Sequence, residues 1–278
     1  MILPPSPTSH IRTLFAGIGL VLLSLVLGGS YFFVFRIKTL PPPESVVPPV
    51  AQIIKKVFGT SVQGKPIEGY EIGAGADVIL LHGAIHGNEM GSGWLMKELV
   101  LEIALNPHLV ASNKKLVIIP IVNPDGYYDR TDLLNAREVN LNLNFGTRDW
   151  QKYGPEGTFA GKEPFSEPES QVLKKVIEEY RPNLMITFHS HGKLVSPEAS
   201  ELSKAWSKWY AHKTGYTYFD EWDYPGTATK WFEEATGKPG LTVELTQDLQ
   251  SDWDINRSAL LELIGFSGIG VPVDPPLP

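Results

Sequence analysis

The sequence predicts an α/β domain in which helices cover both faces of a sheet. Between residues 59 and 266, short runs of consecutive apolar residues alternate with segments of helical periodicity. Unbroken apolar runs are typical of strands that are buried on both faces, and their alternation with helices is typical of α/β folds. The chain has 278 residues, 42% of them hydrophobic, which is enough for a sizeable core.

Four strands and four helices account for most of this region. The predicted strands cover residues 78–81, 116–122, 184–188 and 241–243. The predicted helices cover residues 90–105, 166–180, 200–213 and 252–266, and a further helix is expected around Lys230. Ser166, followed three residues later by Glu169, is the pattern of a capping box at the start of the second helix.

The segments outside this domain have distinct compositions. After an N-terminal tail of residues 1–13, residues 14–35 are almost free of polar groups and long enough for a transmembrane helix. A cleaved signal peptide is the alternative, but its apolar region usually has only about 7–15 residues. Residues 36–58 contain several prolines and predict an extended stalk, residues 59–268 form the catalytic domain, and residues 269–278 form a disordered tail.

Charge and composition exclude several functions. The net charge is −7 and no basic cluster is present, which argues against nucleic acid as a partner. The chain has no cysteine, so disulfides, thiolate metal ligands and cysteine nucleophiles are excluded. Arg12 precedes the apolar segment at residues 14–35, and Arg36 and Lys38 follow it. Because the cytoplasmic flank of a membrane helix usually carries more lysine and arginine, this slightly favours a cytoplasmic catalytic domain.

Polar side chains follow or end the predicted strands. His86 and Glu89 follow the first strand, Asn123 the second and His189 the third, while Glu244 lies directly after the apolar residues of the fourth. Open α/β sheets bind ligands at the carboxyl ends of their strands. These five side chains are therefore expected to converge on one site.

The histidine and glutamate side chains among these residues suit a first-row metal ion. His86 and Glu89 stand three residues apart at a strand-to-helix turn, and three such ligands with a water molecule form the usual catalytic zinc site. His189 is the natural third ligand, but His191 lies on the same face of a strand. His82 competes with His86 if residues 82–89 are helical, although the glycines in that segment argue against a helix.

Glu244 stands in an otherwise apolar strand. A buried carboxylate is costly unless it is paired or functional, so one interpretation is a general base that acts on water at the metal. The alternative is an edge-strand glutamate that faces solvent. The local sequence does not decide between them.

Several motifs occur in the order in which they are found in the zinc carboxypeptidase family. The chain resembles the bacterial branch of that family, whose members are similar to murein tripeptide amidases. The resemblance spans about residues 59–266. The matching segments are residues 61–67, His86–Glu89, residues 123–126, residues 139–145, residues 166–169, residues 188–190 and residues 242–245.

The resemblance implies a three-layer α/β/α fold around a mixed, twisted sheet of about eight strands. It implies one zinc ion as the cofactor, held by His86, Glu89 and His189, and a general-base role for Glu244. It also implies that Asn142 contacts the substrate and that Tyr224 belongs to a pocket-lining segment.

Two arginines of the family are missing. Leu143 stands where the family has the arginine that binds the terminal carboxylate of the substrate, and Leu133 stands near the arginine that stabilises the oxyanion. Arg137 and Arg148, together with Arg130, are the candidate replacements. The alternative is that all three are ordinary surface residues.

The leading functional hypothesis is zinc-dependent hydrolysis of a peptide amide bond, of the carboxypeptidase or murein-peptide amidase type. The expected substrate is a peptide or muropeptide, and the expected location is the membrane, with the catalytic domain outside the cytoplasm. One alternative is a peptide-binding module that retains zinc but is catalytically impaired, which the missing arginines motivate. Another alternative is an N-acyl amino acid deacylase, against which the segment at residues 123–126 argues.

Overall fold

The computed structural model describes residues 50–129, 133–268 and 270–272. The strands are β1 (Ile53–Thr60), β2 (Pro66–Ile72), β3 (Asp77–Gly83), β4 (Lys114–Ile119), β5 (Leu184–Ser190), β6 (Leu194–Pro197), β7 (Thr217–Tyr218) and β8 (Gly240–Leu245). The helices are α1 (Met90–Leu105), α2 (Pro124–Asp129), α3 (Pro168–Tyr180), α4 (Glu201–Thr214), α5 (Ala228–Thr236) and α6 (Trp253–Gly265).

The eight strands form one mixed sheet in the order β1-β2-β4-β3-β5-β8-β6-β7. The four central strands, β4, β3, β5 and β8, are parallel to one another, while β2 and β6 pair antiparallel with the outer two of them. The central strands are the four apolar runs that the sequence identifies as strands. The predicted mixed sheet of about eight strands is therefore confirmed.

Side-chain alternation along the central strands creates two hydrophobic cores. In β3, Ile79 and Leu81 pack in the core formed with α1, α4 and α6. Val78 and Leu80 point to the opposite face, where they pack with α3 and α5. Helices therefore cover both faces of the sheet, as the apolar runs predict.

The predicted capping box at Ser166 is wrong. Helix α3 begins at Pro168, and its N-cap residue Glu167 makes no side-chain capping bond. The carboxylate of Glu169 accepts hydrogen bonds from the Val62 backbone N–H at 3.0 Å and from the Asn135 amide at 3.3 Å. These tertiary bonds engage the Glu169 side chain, so it does not form a capping box. The restricted φ of Pro168, the first residue of the helix, favours the helix start instead.

The predicted end of the stalk at residue 58 is also wrong, because β1 already begins at Ile53. This strand pairs antiparallel with β2 along its length, and Lys56 bonds Glu71 at 2.6 Å. The folded domain therefore starts before residue 59.

The predicted tail 1–13, the predicted transmembrane helix 14–35 and most of the predicted stalk lie outside the described residues, as do residues 273–278 of the predicted C-terminal tail. Within the part of the chain that the structure describes, no helix combines the length and the apolar character needed to cross a membrane.

Candidate metal centre

A tight turn after β3 carries His86 and Glu89. The turn leads into α1, for which Glu89 is the N-cap residue. Ser92 donates to the Glu89 carbonyl oxygen at 2.7 Å and accepts from the Ala84 N–H at 2.8 Å, so its hydroxyl holds the two ends of the turn together. The Gly91 N–H donates to the Asp248 carbonyl oxygen at 2.6 Å, and a Cβ at Gly91 would collide with the Gln250 backbone.

Strand register brings His189 and Glu244 to the same place. His189 is the penultimate residue of β5 and pairs directly with Glu244 of β8, which lies between β5 and β6. Paired residues of neighbouring strands point to the same face of the sheet. Glu244 is therefore in an interior strand, and the alternative of an edge strand does not apply.

The side chains of His86, Glu89 and His189 meet in a buried cluster. The Nδ1 atoms of the two histidines are 3.2 Å apart, and the Glu89 oxygens lie 2.8 Å from Nδ1 of His86 and 2.9 Å from Nδ1 of His189. One donor atom from each residue lies within 4.8 Å of the others, and the residues are 9%, 5% and 1% exposed.

This donor set fits a zinc ion. Two imidazole nitrogens, each about 2.0–2.1 Å from a tetrahedral zinc, stand about 3.3 Å apart, close to the separation of the two Nδ1 atoms here. Two imidazoles and one carboxylate are a usual protein ligand set for catalytic zinc.

Two carboxamides contact the outer nitrogens of the imidazoles. Asn140 Oδ1 lies 3.1 Å from Nε2 of His86 and accepts its N–H, which leaves the lone pair of Nδ1 free for a metal. The Asn142 amide nitrogen lies 3.4 Å from Nε2 of His189, and Asn142 Oδ1 accepts the Ala228 N–H at 3.2 Å. Of the two, only Asn140 presents an oxygen that can accept an imidazole N–H, because the Asn142 atom that faces His189 is an N–H donor. The sequence predicts acceptors of this kind but does not identify them.

The carboxyl groups at the site have shifted pKa values. Burial alone would raise the pKa of Glu89, but the adjacent imidazoles of His86 and His189 outweigh it and lower that pKa. Burial raises the pKa of Glu244 to about 7, with His189 opposing the shift and the Glu89 carboxylate adding to it. A carboxyl group with this pKa can both accept and release a proton near neutral pH.

The competing histidines lie outside the cluster. His191 is exposed, and its Nδ1 lies 3.0 Å from Asp248. His82 is fully buried, with Nδ1 3.4 Å from the Thr187 hydroxyl. Among the described residues, the group able to hold a metal contains neither of them.

Comparison with known proteins agrees with this geometry. Residues 50–208 match the zinc carboxypeptidase family. The chain belongs to the zinc carboxypeptidase family. It is 29% identical to the carboxypeptidase B of Astacus astacus, over 49% of this chain and 54% of that protein. It is also 29% identical to murein peptide amidase A of Vibrio campbellii, over 68% of this chain and 77% of that protein.

Solved structures share the fold. The murein-tripeptide amidase MpaA from Escherichia coli O157 superposes with a TM-score of 0.60 at 24% identity, covering 77% of this chain and 93% of that one. The bovine thrombin-activatable fibrinolysis inhibitor superposes with a TM-score of 0.66 at 18% identity, covering 77% and 88%. The chain spans about half the length of the Astacus astacus carboxypeptidase B. Family membership confirms the predicted class of zinc hydrolases and one zinc ion as the cofactor.

A cavity of about 300 Å³ opens beside the zinc ligands. Its wall includes His86, His189 and Glu244, and it also includes the predicted substrate contacts Asn142 and Tyr224. Leu143, which the sequence resemblance aligns with a family arginine, lines the cavity as well.

Arg137 and Arg148 are not among the described residues that line this cavity. Arg137 lies 3.5 Å from Glu167 at the surface, and Arg148 bonds Glu234 through its backbone N–H. Leu133 lines a separate cleft with Asp129 and Asn135, and Arg130 lies outside the described residues. A substrate contact by Arg137 or Arg148 therefore stays a prediction, and neither residue is among those that line the cavity in the described part of the chain.

Several cavity residues are absent from the sequence prediction. They come from β6 and the residue after it, from α5 and from the inner part of β8, and they are Ser196, Glu198, Thr229, Lys230 and Thr242. β6 has only four residues, which are too few for a periodic pattern to identify it from sequence.

Proposed function

We propose that this domain hydrolyses a peptide amide bond, in the manner of a carboxypeptidase or a murein-peptide amidase. The observation that carries the proposal is the pairing of His189 with Glu244, which sets an unligated carboxyl group beside the metal ligands at the cavity wall. The similarity to murein peptide amidase A, which covers 77% of that protein, supports a peptide or muropeptide substrate.

The chain's own residues have separate roles in this reaction. His86, Glu89 and His189 hold the zinc ion, which when bound supplies a Lewis acid that polarises the scissile carbonyl and acidifies a water molecule. Glu244 accepts a proton from the attacking water and delivers it to the leaving nitrogen. Asn142 orients the substrate, since its amide lies at the cavity wall.

The test compares two glutamate variants of the full-length chain. Glu244→Gln keeps the shape of the side chain but removes its basicity, so amine release from peptides should fall about 100- to 10,000-fold while the zinc content is unchanged. The matched control is Glu201→Gln, since Glu201 lies on α4 with its side chain 90% exposed. Equal turnover in the two variants would refute the role of Glu244.

The second candidate is a peptide-binding module that retains zinc without turnover. Leu143 at the cavity wall and the absence of Arg137 and Arg148 from that wall favour it. A panel of peptides, muropeptides and N-acyl amino acids separates the candidates. Peptide binding with no turnover on any member supports the module, while turnover confined to N-acyl amino acids supports a deacylase.

Residues 14–35 are proposed to anchor the protein in the membrane, with the catalytic domain outside the cytoplasm. The length and the apolar composition of that segment support the anchor, and the cell-wall type of substrate supports the location. Protease added to intact cells should cleave the domain. Full protection in intact cells, with cleavage after lysis, would contradict the location.

A further inference from the structure

The side chains of the candidate metal centre belong to separate segments of the chain. His189 and Glu244 lie in paired strands, so the sheet itself fixes one against the other. Glu89 is the N-cap residue of α1 and lies outside the sheet. Its oxygens nevertheless lie 2.8 Å and 2.9 Å from the two imidazoles. Contacts between the start of α1 and the end of β5 are therefore needed to hold these distances.

The loop between β8 and α6, residues 246–252, makes such contacts through Asp248. The backbone carbonyl oxygen of Asp248 accepts the N–H of Gly91 at 2.6 Å, and Gly91 stands two residues after the glutamate ligand. The side-chain Oδ1 of Asp248 accepts the hydroxyl of Ser190 at 3.0 Å, and Ser190 directly follows the histidine ligand of β5. One residue thus connects the segments that carry these two ligands.

The same carboxylate oxygen has a second partner at the end of β5. His191 Nδ1 lies 3.0 Å from Asp248 Oδ1, so the two residues that follow the β5 ligand share one acceptor. Hydrogen bonds to an ionised acceptor are stronger than those between neutral groups. In the described part of the chain, Asp248 bonds the neighbours of the ligands and not the ligand side chains.

The loop packs directly on the backbone of α1. A Cβ at Gly91 would lie 2.0 Å from the Gln250 carbonyl oxygen and 3.1 Å from that of Asp248, so a side chain there would collide with the loop. At the far end of the loop, the Asp252 carboxylate accepts the Thr246 N–H at 2.6 Å and the Thr246 hydroxyl at 2.7 Å. The two ends of the loop are therefore bonded to each other, which restricts the position of Asp248 between α1 and β5.

We infer that Asp248 is a positioning residue for the metal centre, which holds Glu89 and His189 at the separation that a shared zinc ion requires. Zinc–ligand distances in protein sites vary by only about 0.2 Å, so a small shift of α1 against β5 weakens binding. The inference concerns binding of the metal, and it holds whether or not the domain hydrolyses peptides.

The first test measures zinc affinity by competition with a chromogenic chelator. Asp248→Ala removes the shared acceptor, and we expect the zinc dissociation constant of the full-length protein to rise about tenfold. Asp248→Asn retains an oxygen that can accept both bonds, so its constant should stay within about threefold of that of the unsubstituted protein. The matched control is Asp254→Ala, which replaces an exposed aspartate of α6 and should leave the constant unchanged.

A spectroscopic measurement separates positioning from general stability. Cobalt bound in place of zinc absorbs visible light in bands that depend on coordination geometry, so its spectrum should change in Asp248→Ala and be retained in Asp248→Asn. A purely structural role would lower the melting temperature of Asp248→Ala and leave its cobalt spectrum and zinc dissociation constant unchanged, which would overturn the inference. Equal zinc dissociation constants in Asp248→Ala and Asp248→Asn would also overturn it.

A variant on the donor side keeps the inference testable if Asp248→Ala does not fold. The double variant Ser190→Ala, His191→Ala removes both donors and retains the carboxylate. Its zinc dissociation constant should also rise about tenfold, because the end of β5 loses the same two bonds. A constant within about twofold of that of the unsubstituted protein would overturn the positioning role.

Discussion

At the residue scale, the orientation of His86 depends on an amide rather than on a charged group. Asn140 Oδ1 accepts the N–H at Nε2 at 3.1 Å and also accepts the backbone N–H of Asn142 at 3.0 Å. This second bond fixes the amide, so the lone pair of Nδ1 points to Glu89 and His189. Outer partners of this kind raise metal affinity by fixing the ligand tautomer.

Removing the amide oxygen of Asn140 should therefore weaken zinc binding. In Asn140→Ala we expect the zinc dissociation constant to rise about 10- to 100-fold, because His86 loses the acceptor that fixes its tautomer. Competition with a chromogenic chelator measures this constant. Asn140→Asp retains an acceptor oxygen and should bind zinc at least ten times more tightly than Asn140→Ala, and equal constants in those two variants would contradict the role.

At the element scale, the strands that the sequence reveals are the ones buried on both faces. β3, β4, β5 and β8 contain unbroken apolar runs, whereas β1 contains two consecutive lysines and two exposed apolar residues, Ile54 and Val57, and lies at the sheet edge. An edge strand buries few side chains, so its sequence resembles that of a linker. For this reason the sequence prediction continues the proline-containing stalk, whose prolines lie before residue 50, into β1.

Removal of β1 should destabilise the domain. The Lys56–Glu71 bond of 2.6 Å and the edge-to-face contact of Phe58 with Tyr180, with centroids 6.1 Å apart, tie the strand to β2 and α3. Their loss, with that of the strand pairing, should cost roughly 3 kcal/mol. A chain that begins at residue 59 should melt about 6–12 °C below one that begins at residue 50, measured by circular dichroism. Melting temperatures within 2 °C of each other would show that β1 contributes little.

At the scale of the whole molecule, the site depends on the order of the strands. His86 and Glu89 follow β3, while His189 and Glu244 lie in β5 and β8, and these three strands are neighbours in the sheet. The sequence places each polar residue near a strand end, which is a local property. It does not specify which strands are adjacent, because that depends on packing among helices distant along the chain, so the family resemblance supplies this part of the prediction.

The residues of the cavity wall likewise cannot be identified from the local sequence. Glu198 and Thr229 meet because β6 returns antiparallel to β8 beneath α5, and neither residue stands in a motif. Residues of the metal centre are identifiable from their chemical type and position, whereas these residues of the cavity wall become identifiable only through the strand register.

The central claim is that His86, Glu89 and His189 share one zinc ion. Metal analysis by mass spectrometry of the full-length protein, its His189→Ala variant and its His191→Ala variant tests it most directly. We expect one zinc ion per chain in the unsubstituted protein and in His191→Ala, and less than a tenth of that in His189→Ala. Zinc that is lost with His191 and retained without His189, or no zinc in the unsubstituted protein, would contradict the claim.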